Sequence, residues 1–377
     1  MSSLLGNRLR LIESLGQSLW LDNIDRGLLV NGGLTHLMHD DGISGITSNP
    51  AIFEKAVAQH AEYDATIAQL ARDNPGPQGI YEALIVEDIC QAADLLHDIY
   101  ETSFKRKYCW RDGYVSLEVS PHLAYDTAAT VAEAKRLWQR VGRPNLMIKV
   151  PATPAGLPAI RQLVAAGINV NATLLFGVAR YREVAESYFS GLEDRLANGG
   201  AIDHIDSVAS FFLSRIDTFV DDFLDRDKRP EAQQLRGQTA IACARLAYRE
   251  YQELVHTPRW LALAEHGACP QRLLWASTST KNPAYDDVKY VEALIGPDTI
   301  NSLPPETMAA YRDHGDPAVR LKMQMKEARM LPGQLAALGL ELTVVSDELE
   351  RQGVQKFIDS YERLLALLAS RTNELTA

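Results

Sequence analysis

Short apolar runs alternate with longer amphipathic stretches along most of the chain. The runs have the length of buried strands, whereas the stretches repeat apolar residues at the spacing of one helix face. The clearest run is NLMIKVP at residues 145–151, where apolar residues surround one lysine and a proline-containing segment follows. The pattern therefore predicts a chain built from repeated strand–helix units.

Eight strands are predicted, and helical stretches separate most of them. The strands lie at 18–24, 45–50, 114–120, 145–151, 168–176, 204–213, 272–277 and 299–303. The helices lie at 4–15, 28–40, 51–72, 80–105, 127–141, 157–166, 178–198, 215–224, 231–256 and 354–368. Strands that alternate with helices favour a parallel sheet, and eight such units can close into a barrel.

Two α/β architectures fit this order, a closed barrel and a doubly wound open sheet. The chain has no GxGxxG and no GxxxxGK[ST], which are the usual nucleotide-binding signatures of open sheets. We therefore predict a single (β/α)8 TIM-barrel domain over 1–377. Its barrel core covers about 17–310, and additional helices precede it and follow it at about 311–377.

Net charge, apolar runs and cysteines limit the partners and the location that this chain is expected to have. The net charge of −11 argues against broad nucleic-acid binding and against attraction to an acidic membrane surface. No apolar run reaches the length of a membrane span, and the N-terminal stretch mixes charged and apolar residues unlike a signal peptide. The four cysteines form no CxxC pair and are expected to be reduced thiols. A cytoplasmic protein is expected, as a monomer or a homodimer.

Several predicted strands end in a polar residue after an apolar run. These residues are Asp22, Asn49, Glu118, Lys149, Asn171, Ser210 and Ser277. In a barrel such strand ends meet at one face, where barrel enzymes place their active sites. One polar strand end is explained by solvation, but this set joins an amine to two carboxylates and so predicts an active site.

Lys149 is the candidate nucleophile of that site. Burial disfavours the charged ammonium form, so a neutral amine becomes available for attack on a carbonyl. The alternative is that Lys149 lies at the end of its strand and extends its ammonium group to solvent. Glu118, inside an apolar alternating strand, is either an acid–base group or a static partner of Lys149.

Four segments resemble the transaldolase family, and they occur in the family's order. They are GITSNPAIF at 45–53, LMIKVPAT at 146–153, NVNATLLF at 169–176 and SFFLSR at 210–215. The resemblance extends over the strands from Asp22 to about Pro305. The chain length, the C-terminal helices and ASTSTKNPAYDD at 276–287 are similar to the longer bacterial transaldolases.

The resemblance implies a Schiff-base barrel enzyme of the pentose phosphate pathway. Such an enzyme moves a dihydroxyacetone unit from sedoheptulose 7-phosphate to glyceraldehyde 3-phosphate, giving erythrose 4-phosphate and fructose 6-phosphate. Lys149 would form the imine, and Asp22 would exchange the proton of the C4 hydroxyl. Glu118, with a water also held by Thr173, would carry protons during loss of water. From the residues alone, Asp22 also fits a helix N-cap and Thr173 an ordinary strand residue.

The remaining site residues are expected to bind substrate. Those implied to hold the dihydroxyacetone hydroxyls are Thr47, Asn49, Asn171 and Ser210. Those implied to hold the phosphate are Arg215, Ser277 and Lys281, although Arg215 and Lys281 also fit solvated surface cations. Lys281 departs from the arginine that many relatives carry in this loop, and lysine binds phosphate as a point charge rather than as a fork.

Two other functions remain open at this point. A fructose 6-phosphate aldolase is a related barrel, but such aldolases are shorter and carry tyrosine where Phe212 stands and glutamine where Glu118 stands. A catalytically silent sugar-phosphate-binding protein would be marked by loss of Lys149, Asp22 or Glu118, and all three are present. The histidines show no HxH or HExxH spacing, so neither a metal nor another cofactor is expected.

Overall fold

Eight parallel strands form a closed barrel in chain order, with the last strand beside the first. The structure is a computed structural model that describes residues 7–73, 75–104 and 111–376. The strands are β1 Gln17–Leu21, β2 Ile43–Ile46, β3 Tyr114–Glu118, β4 Leu146–Pro151, β5 Val170–Leu175, β6 Ser207–Phe212, β7 Arg272–Ala276 and β8 Thr299–Leu303. The predicted (β/α)8 barrel with additional terminal helices is confirmed, and the open sheet is excluded.

Helices surround the barrel and extend beyond it at both ends. Within the described ranges they are α1 Arg8–Ser14, α2 Arg26–Val30, α3 Gly33–His36, α4 Pro50–Gln59, α5 Asp64–Ala71, α6 Gly76–Phe104, α7 Thr127–Val141, α8 Gly156–Ala165, α9 Val178–Ala197, α10 Ser214–Leu224, α11 Pro230–Gln234, α12 Thr239–Leu254, α13 Pro258–Glu265, α14 Lys289–Ala293, α15 Pro305–His314, α16 Met325–Ala337 and α17 Leu342–Thr376. A π-helical turn at Leu37–Asp41 and 3-10 turns at Ala61–Tyr63 and Pro121–Leu123 complete them.

The predicted helix bounds were wrong in several places. The stretch predicted at 28–40 is α2, α3 and the π-helical turn at Leu37–Asp41. The stretch predicted at 51–72 is two helices, α4 and α5, with a 3-10 turn between them, and the stretch at 231–256 is the two helices α11 and α12. The tail predicted at 354–368 is the centre of α17, which has 35 residues. The first turns of α17 also bury Val345 and Leu349, but polar residues separate these two, so the apolar spacing marked only the centre of the helix.

Some predictions fall on residues that the structure does not describe. The first predicted helix began at residue 4, and α1 begins at Arg8 after the side chain of Asn7 accepts a hydrogen bond from Leu9 N. The helix predicted to end at residue 105 reaches the limit of the described range, and Cys109 lies outside it. Cys90 and Cys243 carry free thiols.

α7 shows how the local sequence sets one strand–helix unit. The Asp126 carboxylate accepts a hydrogen bond from Ala129 N at 3.0 Å and so caps the first turn. Gly142, with φ of 59°, ends the helix in the left-handed conformation that glycine adopts without strain. The chain then enters β4, all of whose residues are buried. The Asp126 cap, the apolar face of α7 and the terminating Gly142 together specify this strand–helix unit.

Buried charges close the amino-terminal end of the barrel. The Asp112 carboxylate accepts hydrogen bonds from Ser18 Oγ at 2.7 Å and from Trp20 Nε1 at 3.0 Å. Arg272 Nη2 donates to the same carboxylate at 3.0 Å. Because three donors converge on Asp112, its buried charge is compensated, and this end of the barrel is a structural plug.

The terminal helices pack on this frame from outside. α1 packs on β1 and α15, and α17 packs on α4, α5, α6, α10 and β5. None of the helices in the described ranges combines the length and the apolar character that a membrane crossing requires.

Gly45 in β2 is the position at which the barrel tolerates no side chain. A Cβ placed there would lie 2.5 Å from Cδ2 of the fully buried Trp20. Gly45→Ala is therefore expected to lower the free energy of unfolding by about 1–3 kcal/mol through overpacking. Urea unfolding of the wild type and the variant measures the difference.

Gly333→Ala is the matched control for this change. A Cβ at Gly333 in α16 has no atom within 4 Å, so the control should leave stability unchanged or raise it by about 0.5–1 kcal/mol. Equal effects of the two substitutions would contradict the close contact between Gly45 and Trp20.

Candidate active site

Lys149 lies near the carboxyl end of β4 with its amine inside the protein. The residue is 3% exposed, so the alternative that its side chain extends to solvent was wrong. Its Nζ donates to Ser48 O at 3.1 Å and lies 3.5 Å from Glu118 Oε2. Lys149 is in register with Glu118 on β3 and with Asn171 on β5. Parallel pairing thus places an acid, an amine and an amide in one row.

Glu118 is a buried carboxyl group that lacks hydrogen-bond donors. Neither of its side-chain oxygens has a hydrogen-bond partner among the described residues. Burial raises the pKa of Glu118 to about 7, although the nearby Lys149 amine opposes this shift. A carboxyl group with such a pKa can both release and accept a proton near neutral pH.

Thr173 is another buried residue of the predicted site whose side chain, at Oγ1, has no hydrogen-bond partner in the described ranges. It stands in register with Pro151 at the end of β4. The next residue, Leu174, has φ of 61°, and the pairing of β5 with β6 is irregular between Ala172 and Leu175. This bulge sets the direction in which the Thr173 side chain points.

Asp22 follows β1 and faces the same site. Thr47 Oγ1 donates to Asp22 Oδ1 at 2.7 Å and lies 2.7 Å from Ser302 Oγ. Desolvation raises the pKa of Asp22, whereas the positive charge of Lys149 opposes the shift. The helix-cap alternative was wrong, because Asp25 is the residue that caps α2 by accepting from Leu28 N at 2.7 Å.

The neutral candidates hold one another in place. Ser210 Oγ donates to Asn171 Oδ1 at 2.7 Å, and Asn171 Nδ2 donates to Ser116 Oγ at 3.0 Å. Asn49 caps α4, since its Oδ1 accepts from Ile52 N at 3.1 Å. That contact uses the oxygen of the Asn49 amide and leaves its N–H donors for another partner.

A cavity of about 440 Å³ opens above these groups. Nine of the predicted site residues line it: Asp22, Thr47, Asn49, Lys149, Ser210, Phe212, Arg215, Ser277 and Lys281. The other three, Glu118, Asn171 and Thr173, are buried and do not line it. Glu118 reaches the cavity through Lys149, and Asn171 reaches it through Ser210.

Arg215 is the second residue of α10 and points its charge toward the cavity. Its Nη1 is buried without a hydrogen-bond partner in the part of the chain that the structure describes. Its Cζ lies 5.3 Å from the ring centroid of Phe212 and 5.9 Å from that of Phe357. Desolvation lowers the pKa of Arg215, so an anionic ligand would be favoured here. The solvated-cation alternative was wrong for this residue.

Lys281 lies at the exposed edge of the cavity, where its ammonium donates to Ser279 Oγ at 2.7 Å. The loop that carries it leaves β7 through Ser277, which has φ of 55° and lies 2.8 Å from Ser214 through the two hydroxyl oxygens. Tyr285 OH donates to Asp221 Oδ2 at 2.6 Å. The loop is therefore tied to α10, the helix that carries Arg215.

Among the residues that line or support the cavity and that sequence reasoning missed are Lys55, Ser116, Ser302 and Phe357. Ser302 lies near the carboxyl end of β8, and the rule applied to the other strand ends would have found it. Lys55 lies six residues after Asn49 on α4, which was a usable signal. Phe357 belongs to α17, and no local pattern relates that helix to the cavity.

A closed parallel barrel with a buried amine and two carboxyl groups at the carboxyl ends of its strands has the arrangement of a barrel enzyme, whose active site lies at that face. Sequence comparison gives the family. The model of the family described as Transaldolase/Fructose-6-phosphate aldolase matches residues 19–368. The chain belongs to this family of enzymes.

Curated relatives cover nearly the full chain. A protein of Thiobacillus denitrificans named Transaldolase is 48% identical over 94% of this chain and 98% of its own length. A protein of a Nostoc species named Transaldolase 2 is 47% identical over 98% and 99%, respectively. A Transaldolase of Saccharopolyspora erythraea is 43% identical over 98% of both chains.

The buried carboxyl group of Glu118 predicts a pH-dependent stability difference. Its pKa is about 7 in the folded state and near 4.5 in the unfolded chain. Between these values the folded state binds more protons, so the free energy of unfolding falls as pH rises. Glu118→Gln removes this pH-dependent loss. The unfolding free energy of the variant minus that of the wild type should therefore rise by roughly 1–3 kcal/mol from pH 5 to pH 8.

Urea unfolding of both proteins at pH 5 and pH 8 measures this gain. The pH 5 pair is the internal control, since the wild-type carboxyl group is mainly protonated there and resembles the neutral amide. A difference between variant and wild type that stays constant, or that shrinks toward pH 8, would contradict the raised pKa of Glu118.

Proposed function

We propose that this chain is a transaldolase that acts through a Schiff base on Lys149. It would transfer a dihydroxyacetone unit from sedoheptulose 7-phosphate to glyceraldehyde 3-phosphate and so give erythrose 4-phosphate and fructose 6-phosphate. The observation that carries this proposal is the buried Lys149 amine, 3.5 Å from Glu118 and open to a cavity of about 440 Å³. The relatives named Transaldolase support it.

The first steps form the imine. The Lys149 nitrogen attacks the ketose carbonyl carbon, and the resulting carbinolamine loses its oxygen as water. Glu118 has a pKa of about 7 and lies 3.5 Å from Nζ, so it is suited to move the protons of this step. A water bound between Glu118 and Thr173 would use hydrogen-bonding atoms that have no partner among the described residues.

The next steps break and remake a carbon–carbon bond. Asp22 takes the proton of the C4 hydroxyl, the C3–C4 bond breaks, and its electron pair moves toward the imine nitrogen. The aldehyde erythrose 4-phosphate leaves. The carbanion then attacks the aldehyde carbon of glyceraldehyde 3-phosphate, Asp22 returns its proton to the new alkoxide, and hydrolysis of the imine frees the product.

Substrate recognition divides between the floor and the rim of the site. Thr47, Asn49, Ser210 and, behind Ser210, Asn171 are placed to orient the hydroxyls of the three-carbon unit. Arg215, Ser277 and Lys281 would hold the phosphate. An anionic substrate then meets a local cationic group on a chain whose net charge is −11.

The wider setting also belongs to the proposal. We propose a role in the pentose phosphate pathway and a cytoplasmic location. We also propose that residues 1–377 form one functional domain that binds sugar phosphates rather than nucleic acid or membrane.

Lys149→Ala is expected to abolish turnover, because Lys149 is the one amine beside Glu118 among the residues that the structure describes. Borohydride reduction in the presence of fructose 6-phosphate, followed by peptide mass mapping, should place a three-carbon adduct on the Lys149 peptide of the wild type. The variant should carry none.

Lys55→Ala is the matched control, since Lys55 is another lysine of the same cavity. The adduct on Lys149 should persist in this control. Near-normal formation of erythrose 4-phosphate by Lys149→Ala would rule out the imine at this residue.

Phe212→Tyr should increase the release of free dihydroxyacetone, the reaction of the related aldolases. The added hydroxyl would bring a polar group into the cavity that Lys149 also lines, and it could bind a water molecule there by a hydrogen bond. Phe189→Tyr makes the same change in a buried phenylalanine of α9 that packs on Trp260 away from the cavity. Unchanged release by Phe212→Tyr, or equal release by both variants, would count against this reading of Phe212.

A further inference from the structure

The C-terminal helix α17 lies across the carboxyl end of the barrel. It packs on β5 and on the surrounding helices α4, α5, α6 and α10. Gly353 permits this close approach, since a Cβ there would lie 3.0 Å from Leu174 Cδ2 and 3.6 Å from Arg215 Nη1. The helix therefore covers the site, and one of its faces contacts catalytic and binding residues of the barrel.

Phe357 is on that face, one helical turn after Gly353. It is 3% exposed and lines the active-site cavity. Its ring centroid lies 5.8 Å from Lys149 Nζ and 5.9 Å from Arg215 Cζ. A single side chain from outside the barrel thus lies over both the nucleophile and the candidate phosphate ligand.

Arg215 and Phe212 hold the ring in position. Arg215 Cζ lies 5.3 Å from the ring centroid of Phe212 and 5.9 Å from that of Phe357, which is cation–π distance from both rings. Phe212 in turn packs on Phe176 with ring centroids 5.4 Å apart. This stack joins α17 to β6 and fixes an apolar surface above the amine.

We propose that Phe357 is a specificity-determining residue that keeps water from the carbanion carbon of the Lys149 adduct, so that the three-carbon unit is transferred rather than released. This inference rests on the proposed function. Release requires a proton on the carbanion carbon, and then addition of water to the imine carbon. The C–N bond breaks, the water oxygen becomes the ketone oxygen, and the nitrogen keeps the protons of a free amine. Hydrolysis of the imine also ends transfer, so protonation of the carbanion is the step that only release requires. An apolar ring that keeps water, the source of that proton, from the carbanion slows release without affecting attack on an aldehyde.

The test measures how the same intermediate divides between two products. Enzyme is supplied with fructose 6-phosphate and erythrose 4-phosphate, and free dihydroxyacetone and sedoheptulose 7-phosphate are quantified. Both products pass through one adduct on Lys149, so their ratio does not depend on the fraction of active enzyme. Phe357→Ala should raise the ratio of release to transfer about tenfold, which corresponds to a change of about 1.4 kcal/mol in the difference between the two activation barriers.

Two further variants separate shielding from general loosening of the helix. Phe357→Leu keeps most of the apolar volume and should stay close to the wild-type ratio. Leu364→Ala removes a fully buried side chain of the same helix that does not line the cavity, and it should also keep the wild-type ratio. If Phe357→Ala does not fold, Phe357→Val replaces it in the same comparison.

The outcomes are distinct. An unchanged ratio in Phe357→Ala, with the adduct on Lys149 still trapped by borohydride, overturns the shielding role alone. An equal rise in Leu364→Ala overturns it too, because loosening of α17 then explains release. Absence of any adduct in the wild type contradicts the proposed function and this inference with it.

Discussion

The contact between Lys149 and Glu118 is the constraint on which the site depends. Two ionisable groups lie 3.5 Å apart in a place that excludes solvent, and burial of either one without the other would cost several kcal/mol. Such a pair contributes little to stability, because desolvation offsets most of the attraction. Parallel pairing of β3 with β4 fixes their separation, so the barrel maintains a reactive arrangement that the pair alone would not hold.

Buried polar groups at the candidate site differ from the buried charge at the amino end of the barrel. At the amino end Asp112 accepts from three donors, and its charge is compensated within the protein. At the carboxyl end Glu118, Thr173 and Arg215 keep buried atoms without hydrogen-bond partners among the described residues. Other buried atoms in the described ranges also lack partners, such as Asn145 Oδ1 and Gln271 Oε1 before β4 and β7, so the unsatisfied atoms alone do not identify the site. Because unsatisfied buried groups are destabilising, a ligand bound beside Glu118, Thr173 and Arg215 would supply contacts that these three lack.

Sequence patterns predicted the barrel and most of the cavity for one physical reason. A strand buried on both faces is a local apolar run, and its functional residue stands at a fixed place in that run, as Lys149 does in β4. Phe357 was not predictable in this way, because its place depends on how a helix about 200 residues later crosses the barrel. The cap role of Asp25 was missed because Asp22 offered the same chemistry three residues earlier.

Two of the four non-glycine residues with positive φ in the described ranges lie at the site. Leu174 and Ser277 are non-glycine residues with positive φ, at the carboxyl ends of β5 and β7. Each such conformation costs about 1–2 kcal/mol, and it persists only where the surrounding packing determines it. Leu174 is almost fully buried beneath Gly353 of α17, and Ser277 is held through Ser214 at the start of α10. The helices α17 and α10 therefore also stabilise the strained residues at the ends of β5 and β7. Packing thus connects α17, the Arg215 side chain on α10 and the Lys149 amine.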